Sequence, residues 1–161
     1  MRVKSIVALS ALVFTALAAN GQVKSGLTPE DNAYTLGDGI RTKVITFYSE
    51  GVACWGKIFF PKDFAETDSR SGIVLAQGWT GTHVSIEKYA NRFAERGLIA
   101  MVIDYRGWGD SNGFITLAEP VRSDDQKRRV QATADVQIKR TRLLPMKQVE
   151  DYRNAISFIQ R

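Results

Sequence analysis

The chain has 161 residues, 44% of them hydrophobic and 24% charged, with a formal net charge of +5. That length allows one ordinary domain. The composition is globular and rules out a disordered or fibrous chain. One cysteine, Cys54, excludes an internal disulfide and reads as a buried small hydrophobe.

The chain opens with an export signal. Arg2 and Lys4 form a positive start, residues 6–18 are a nearly unbroken apolar run, and Ala16-Leu17-Ala18 supplies small residues for cleavage before Ala19. The run is about 13 residues, short of the roughly 20 that a bilayer span needs. The expectation is therefore a cleaved signal peptide at 1–18, a periplasmic or secreted product, and no membrane attachment after cleavage. Removing Arg2 and Lys4 from 22 basic residues leaves 20 against 17 acidic, a balance of +3. That is too slight to argue for a nucleic-acid partner.

Residues 20–40 are polar and rich in Gly, Asn and Asp, and 19–41 reads as a leader or linker. Two apolar runs in 42–61 flank Ser49-Glu50-Gly51, which predicts a β-hairpin ended by Pro61. Gly72-Ile73-Val74-Leu75-Ala76 lacks alternation, as strands buried on both faces do. After Gly78-Trp79-Thr80-Gly81, residues Ile86, Tyr89, Ala90, Phe93 and Ala94 share one helical face, with Ser85 as N-cap and Gly97 at the end. A second buried strand is expected over 98–103. The succession is a βαβ unit, so the sheet is at least partly parallel. Residues 104–145 read as long and irregular. Their mixed charges, Arg122 to Arg129 and then Lys139, Arg140 and Arg142, read as a solvated surface. Val149, Tyr152, Ile156 and Ile159 predict a last helix.

Three segments in this order resemble the N-terminal half of the α/β-hydrolase superfamily. They are Ile73-Val74-Leu75-Ala76-Gln77-Gly78-Trp79-Thr80-Gly81, Asp104-Tyr105-Arg106-Gly107-Trp108-Gly109-Asp110-Ser111, and Val149-Glu150-Asp151-Tyr152-Arg153-Asn154-Ala155-Ile156. The likeness covers 42–161 and is nearest to dienelactone-hydrolase-like esterases and Xaa-Pro dipeptidyl-peptidase-like serine hydrolases. It implies an α/β fold made of hairpin strands, a βαβ unit and a final helix. It also implies hydrolysis of an ester or amide bond in a small-molecule or peptide acyl substrate.

In such an enzyme a backbone N–H in the loop after the third strand helps to stabilise the oxyanion. The resemblance places that role at Trp79, with Thr80 beside it, and Gly78 and Gly81 would let the backbone turn. Gln77 stands where many relatives have His. Arg106, Asp110 and Ser111 are expected to brace a loop by hydrogen bonds. No Gly-x-Ser-x-Gly surrounds Ser111 or any other serine. The triad order on this fold is Ser, acid, His. His83, the only histidine, comes too early and reads as a polar residue at a helix start.

The expectation is thus an incomplete fold, inactive alone, in which nucleophile, acid and triad His are lacking. Its open sheet edge would invite self-association. The alternative is a non-catalytic exported binding module of the same ancestry. Gly107, Gly109 and Gly113 also follow a strand, as in a dinucleotide loop, but no helix opens after them and Pro120 follows. No His, Cys and carboxylate cluster has metal-ligand spacing. Neither cofactor nor metal is expected.

Overall fold

The computed structural model describes residues 2–10, 33–120 and 133–161. Most of the mixed-charge stretch, 121–132, lies outside the described residues, as do 11–18 of the expected signal peptide. Lys139, Arg140 and Arg142 are exposed, as a solvated surface requires.

The chain forms β1 (Arg2–Ser10), β2 (Arg41–Ser49), β3 (Val52–Phe60), β4 (Ser69–Ala76), α1 (Glu87–Glu95), β5 (Ile99–Ile103), β6 (Phe114–Leu117), β7 (Val136–Lys139) and α2 (Pro145–Ile159). Five strands make a mixed sheet in the order β1-β4-β5-β3-β2, and β6 and β7 form a separate two-stranded ribbon. β1, β4 and β5 are parallel, while β3 runs antiparallel to β5 and to β2. The fold class is α/β.

The hairpin follows from its turn. Ser49 pairs with Val52, leaving Glu50 and Gly51 as a two-residue loop, both with positive φ (48° and 81°). A loop of that handedness matches the twist of the flanking strands.

The βαβ unit is where periodicity placed it, with β4 starting three residues before Gly72. β5 is buried at all five positions. Its residues alternate between two cores. Ile99, Met101 and Ile103 pack with Val74, Cys54, Ile58, Ala155 and Ile159 on the α2 side. Ala100 and Val102 pack with Ile73, Leu75, Phe59, Ala90 and Ala94 on the α1 side. Cys54 is fully buried, and burial, helped by the charge of Asp151, pushes its thiol up to about 12.

Several expectations are corrected. Ser85 does not cap α1. It lies in a 3-10 turn, His83–Ser85, with its hydroxyl donating to the Thr82 carbonyl at 2.8 Å, and Ile86 precedes the helix without a side-chain cap. Residues 104–145 are not wholly irregular, because β6 pairs with β7 across a long connection. The four-residue strands lie too far apart in sequence for a hairpin signal. In keeping with the sequence reading against a dinucleotide loop, the glycine-rich segment leads into β6 rather than a helix. Residues 2–10, which fall within the expected signal peptide, form β1 along β4 from Arg2↔Ser69 to Ser10↔Ala76.

α2 is fastened by a buried ion pair. The Arg106 guanidinium donates to Asp151 Oδ1 from Nε at 2.8 Å and from Nη2 at 2.6 Å, while the Arg106 backbone N–H donates to Asp151 Oδ2 at 3.0 Å. Nη2 also meets Ser49 Oγ at 2.7 Å, and Nη1 meets Glu50 at 2.8 Å. Asp151 is fully buried, so its charge depends on this partner. Breaking a buried pair by deleting one member typically costs about 3–5 kcal/mol. Asp151→Ala is expected to destabilise by about that much in urea unfolding. A change under about 1 kcal/mol, the range of surface pairs, would show that the pair does not anchor the helix.

Candidate functional site

β4 and β5 end side by side, Ala76 opposite Ile103. Ligands of open parallel sheets bind at such carboxyl ends, where the loops diverge. Two loops start here, 77–82 after β4 and 104–113 after β5.

The carboxylate of Asp104 joins them. It is fully buried. Oδ1 accepts the His83 backbone N–H at 2.7 Å, and Oδ2 accepts from His83 Nδ1 at 2.6 Å and from the Asp110 N–H at 3.0 Å. A carboxylate only accepts, so Nδ1 carries the ring proton. Gly109 has φ 47°, and a Cβ there would lie 2.1 Å from Asp104 Oδ2, so only glycine fits against the carboxylate.

The His83 ring stacks on Trp55, with centroids 4.0 Å apart at 29°. Its other nitrogen, Nε2, is 3.8 Å from Glu87 Oε1. Glu87 Oε2 in turn accepts from Lys57 Nζ at 2.6 Å and from the Tyr34 hydroxyl at 2.8 Å. Burial and the neighbouring Glu87 carboxylate raise the Tyr34 pKa. His83 is therefore more than a polar helix-start residue. It ties the two loops together.

In the first loop Trp79 is 74% exposed. Thr80 has φ 63°, a left-handed conformation uncommon for a non-glycine residue and often found at functional sites. The turn expected at Gly78 and Gly81 thus has its left-handed residue at Thr80. Neither the Trp79 nor the Thr80 N–H makes a backbone hydrogen bond to a described residue. Gln77 is 5% exposed, and its amide has no hydrogen-bond partner among the described residues. This end of the sheet therefore offers backbone donors and a buried amide.

The bracing role expected of the second loop is seen in part. Ser111 is fully buried, its hydroxyl donating to the Asp104 carbonyl at 2.7 Å and accepting the Trp55 N–H at 2.8 Å. Such a hydroxyl is structural. Asp110 braces through its backbone N–H rather than its side chain. Among the described residues no group of three or more His, Cys, Asp and Glu could hold a metal, and no helix is long and apolar enough to cross a membrane.

No family model matches the chain, and no curated protein matches it. A solved structure, that of a hypothetical protein (PA2218) from Pseudomonas aeruginosa, is similar with a TM-score of 0.56 at 22% identity. The match covers 87% of this chain and 36% of that one. This chain therefore spans about a third of that protein's length, and the likeness is one of fold.

The site predicts its own pH dependence. Burial disfavours the charged His83 ring, but the hydrogen bond and charge of Asp104, aided by Glu87 and Asp110, outweigh it and raise the pKa. The raised pKa contributes stability that is full below the unfolded value of about 6.5 and is lost as pH rises through the folded value. An NMR titration of the His83 ring is expected to give a midpoint above about 6.5, and His83→Gln to flatten the loss of stability above that pH. A midpoint below it would show that burial wins.

Proposed function

We propose that this chain is the N-terminal part of an exported serine hydrolase of the α/β-hydrolase superfamily, in which a longer protein cleaves an ester or amide bond. The observation that carries the reading is the loop 77–81. It leaves a buried parallel strand, holds Thr80 left-handed, and has Trp79 and Thr80 N–H groups with no backbone partner among the described residues. These features suit a pair of preorganised oxyanion donors. The brace of Asp104, Gly109 and Ser111 beside the loop supports the same reading.

The chain's only histidine is held by Asp104, and Ser111 is buried with its hydroxyl donating and accepting. This favours inactivity of the chain alone and supports, as a second reading, a binding module of the same ancestry. The test uses the chain and a longer protein that contains it. The 161-residue chain is expected to turn over activated esters no faster than a heat-treated control. In the longer protein Trp79→Pro removes the donor N–H and should lower the turnover number by about 10²–10³. Trp79→Phe should leave most of it, because the donor belongs to the backbone. Parental turnover in a folded Trp79→Pro variant would remove Trp79 from the site. A longer protein with no hydrolytic activity would favour the binding module.

Export rests on Arg2, Lys4 and the apolar run 6–18. Sequencing protein from the cell envelope of the producing cell is expected to give Ala19 as the first residue. An intact Met1 in the cytosol would refute it.

A further inference from the structure

A pocket of about 290 Å³ opens between the foot of the β6–β7 ribbon and the start of α2, with walls drawn from residues 106–116 and 139–144. The ribbon pairs Phe114 with Lys139 and Thr116 with Gln137. Paired residues share a face, as do alternate residues along a strand. Phe114, Thr116 and Lys139 therefore stand on one face of the ribbon. Phe114 packs against the α2-side core, so that face is turned towards the body of the protein.

The walls are fastened to one another. The Thr141 N–H donates to the Gly107 carbonyl at 2.8 Å, and Trp108 Nε1 donates to the Arg142 carbonyl at 3.1 Å. The Arg106 guanidinium lies 5.1 Å from the centre of the Phe114 ring. A site held in this way has little freedom left to lose on binding.

The lining has two characters. Phe114 and Leu144 supply an apolar wall, and Arg106, Lys139 and Arg142 bring positive charge. Arg106 is matched by Asp151 and Glu50. Among the described residues no carboxylate lines the pocket, and neither Lys139 nor Arg142 is in an ion pair. Those two charges are left for a ligand.

The combination selects an occupant. A neutral apolar molecule would cover the cations without compensating them. A bare inorganic anion would leave the Phe114 and Leu144 wall in water. A carboxylate with an apolar body satisfies both parts, since arginine matches it in geometry and lysine in charge. The volume lies just under the roughly 300–1,000 Å³ of small-molecule sites, so the body must be small, a single ring rather than a long chain. A flat ring can also pack on Phe114.

We propose that this pocket binds a small aromatic carboxylate, with its ring against Phe114 and Leu144 and its carboxylate at Lys139 and Arg142. The site is separate from the Trp79 loop, so it stands or falls independently of the hydrolase reading.

The test is titration of the 161-residue chain with benzoate, followed through the amide resonances by NMR. Saturable one-to-one shifts are expected, largest at Gly107, Thr116 and Lys139. Benzyl alcohol and inorganic phosphate should each bind at least about tenfold more weakly, a difference of about 1.4 kcal/mol. Lys139 and Arg142 are exposed, so Lys139→Glu and Arg142→Glu should fold normally by circular dichroism, and each should weaken benzoate binding about tenfold. Lys139→Arg keeps the charge and should keep the binding. Absence of saturable binding, benzyl alcohol or phosphate binding as tightly as benzoate, or undiminished affinity in either folded glutamate variant would each overturn the proposal. So would shifts confined to residues outside the pocket.

Discussion

The carboxylate of Asp104 is the interaction on which the site depends. An ionised carboxylate in the interior is costly unless every lone pair facing the protein is used. Here the donors are two N–H groups of His83 and the N–H of Asp110. They come from the loops after β4 and after β5. The sheet brings those loops together by pairing Ala76 with Ile103, but pairing alone leaves their paths undefined. One buried charge sets both paths, and Gly109 is the position where the backbone must pass against it.

Two residues further on, Arg106 ties the same loop to α2 through Asp151, and to the β2–β3 hairpin through Ser49 and Glu50. Ser111 closes the loop onto β3 by accepting the Trp55 N–H. Trp55 in turn carries the His83 ring. The segment 104–111 is therefore a polar keystone between two apolar layers, and a disturbance on either face of the sheet can reach the Trp79 loop through it. Such networks are sensitive because each unmatched group costs more than its bond contributed.

The elements that bury a continuous apolar face were legible in sequence. β4, α1 and β5 each announce themselves by a run or a period, and the β2–β3 hairpin by Glu50-Gly51. What sequence left out is the long-range polar pairing. Asp104 and His83 are 21 positions apart, Arg106 and Asp151 are 45 apart, and nothing local in either pair names the other. Asp151 carries one local signal: it lies at helical spacing with Ala155 and Ile159, both buried, so a charged residue on that face needs a buried partner. The β6–β7 ribbon was missed because Ile115, Leu117, Val136 and Ile138 are half exposed and form no core period. At the candidate site the sequence located the Trp79 loop but assigned its turn to the glycines, whereas Thr80 takes the left-handed position.

The His83–Asp104 pair has half of the arrangement a general base needs. A carboxylate on Nδ1 fixes the tautomer and leaves Nε2 to accept a proton. Here, however, Nε2 faces Glu87, which is already held by Lys57 and Tyr34, and no hydroxyl bond to the ring is found among the described residues. The two hydrogen bonds to Asp104 make His83 a clasp between the loops. Any acyl chemistry at the Trp79 loop must therefore draw its nucleophile and its base from residues other than Ser111 and His83, while these two keep the loop in shape.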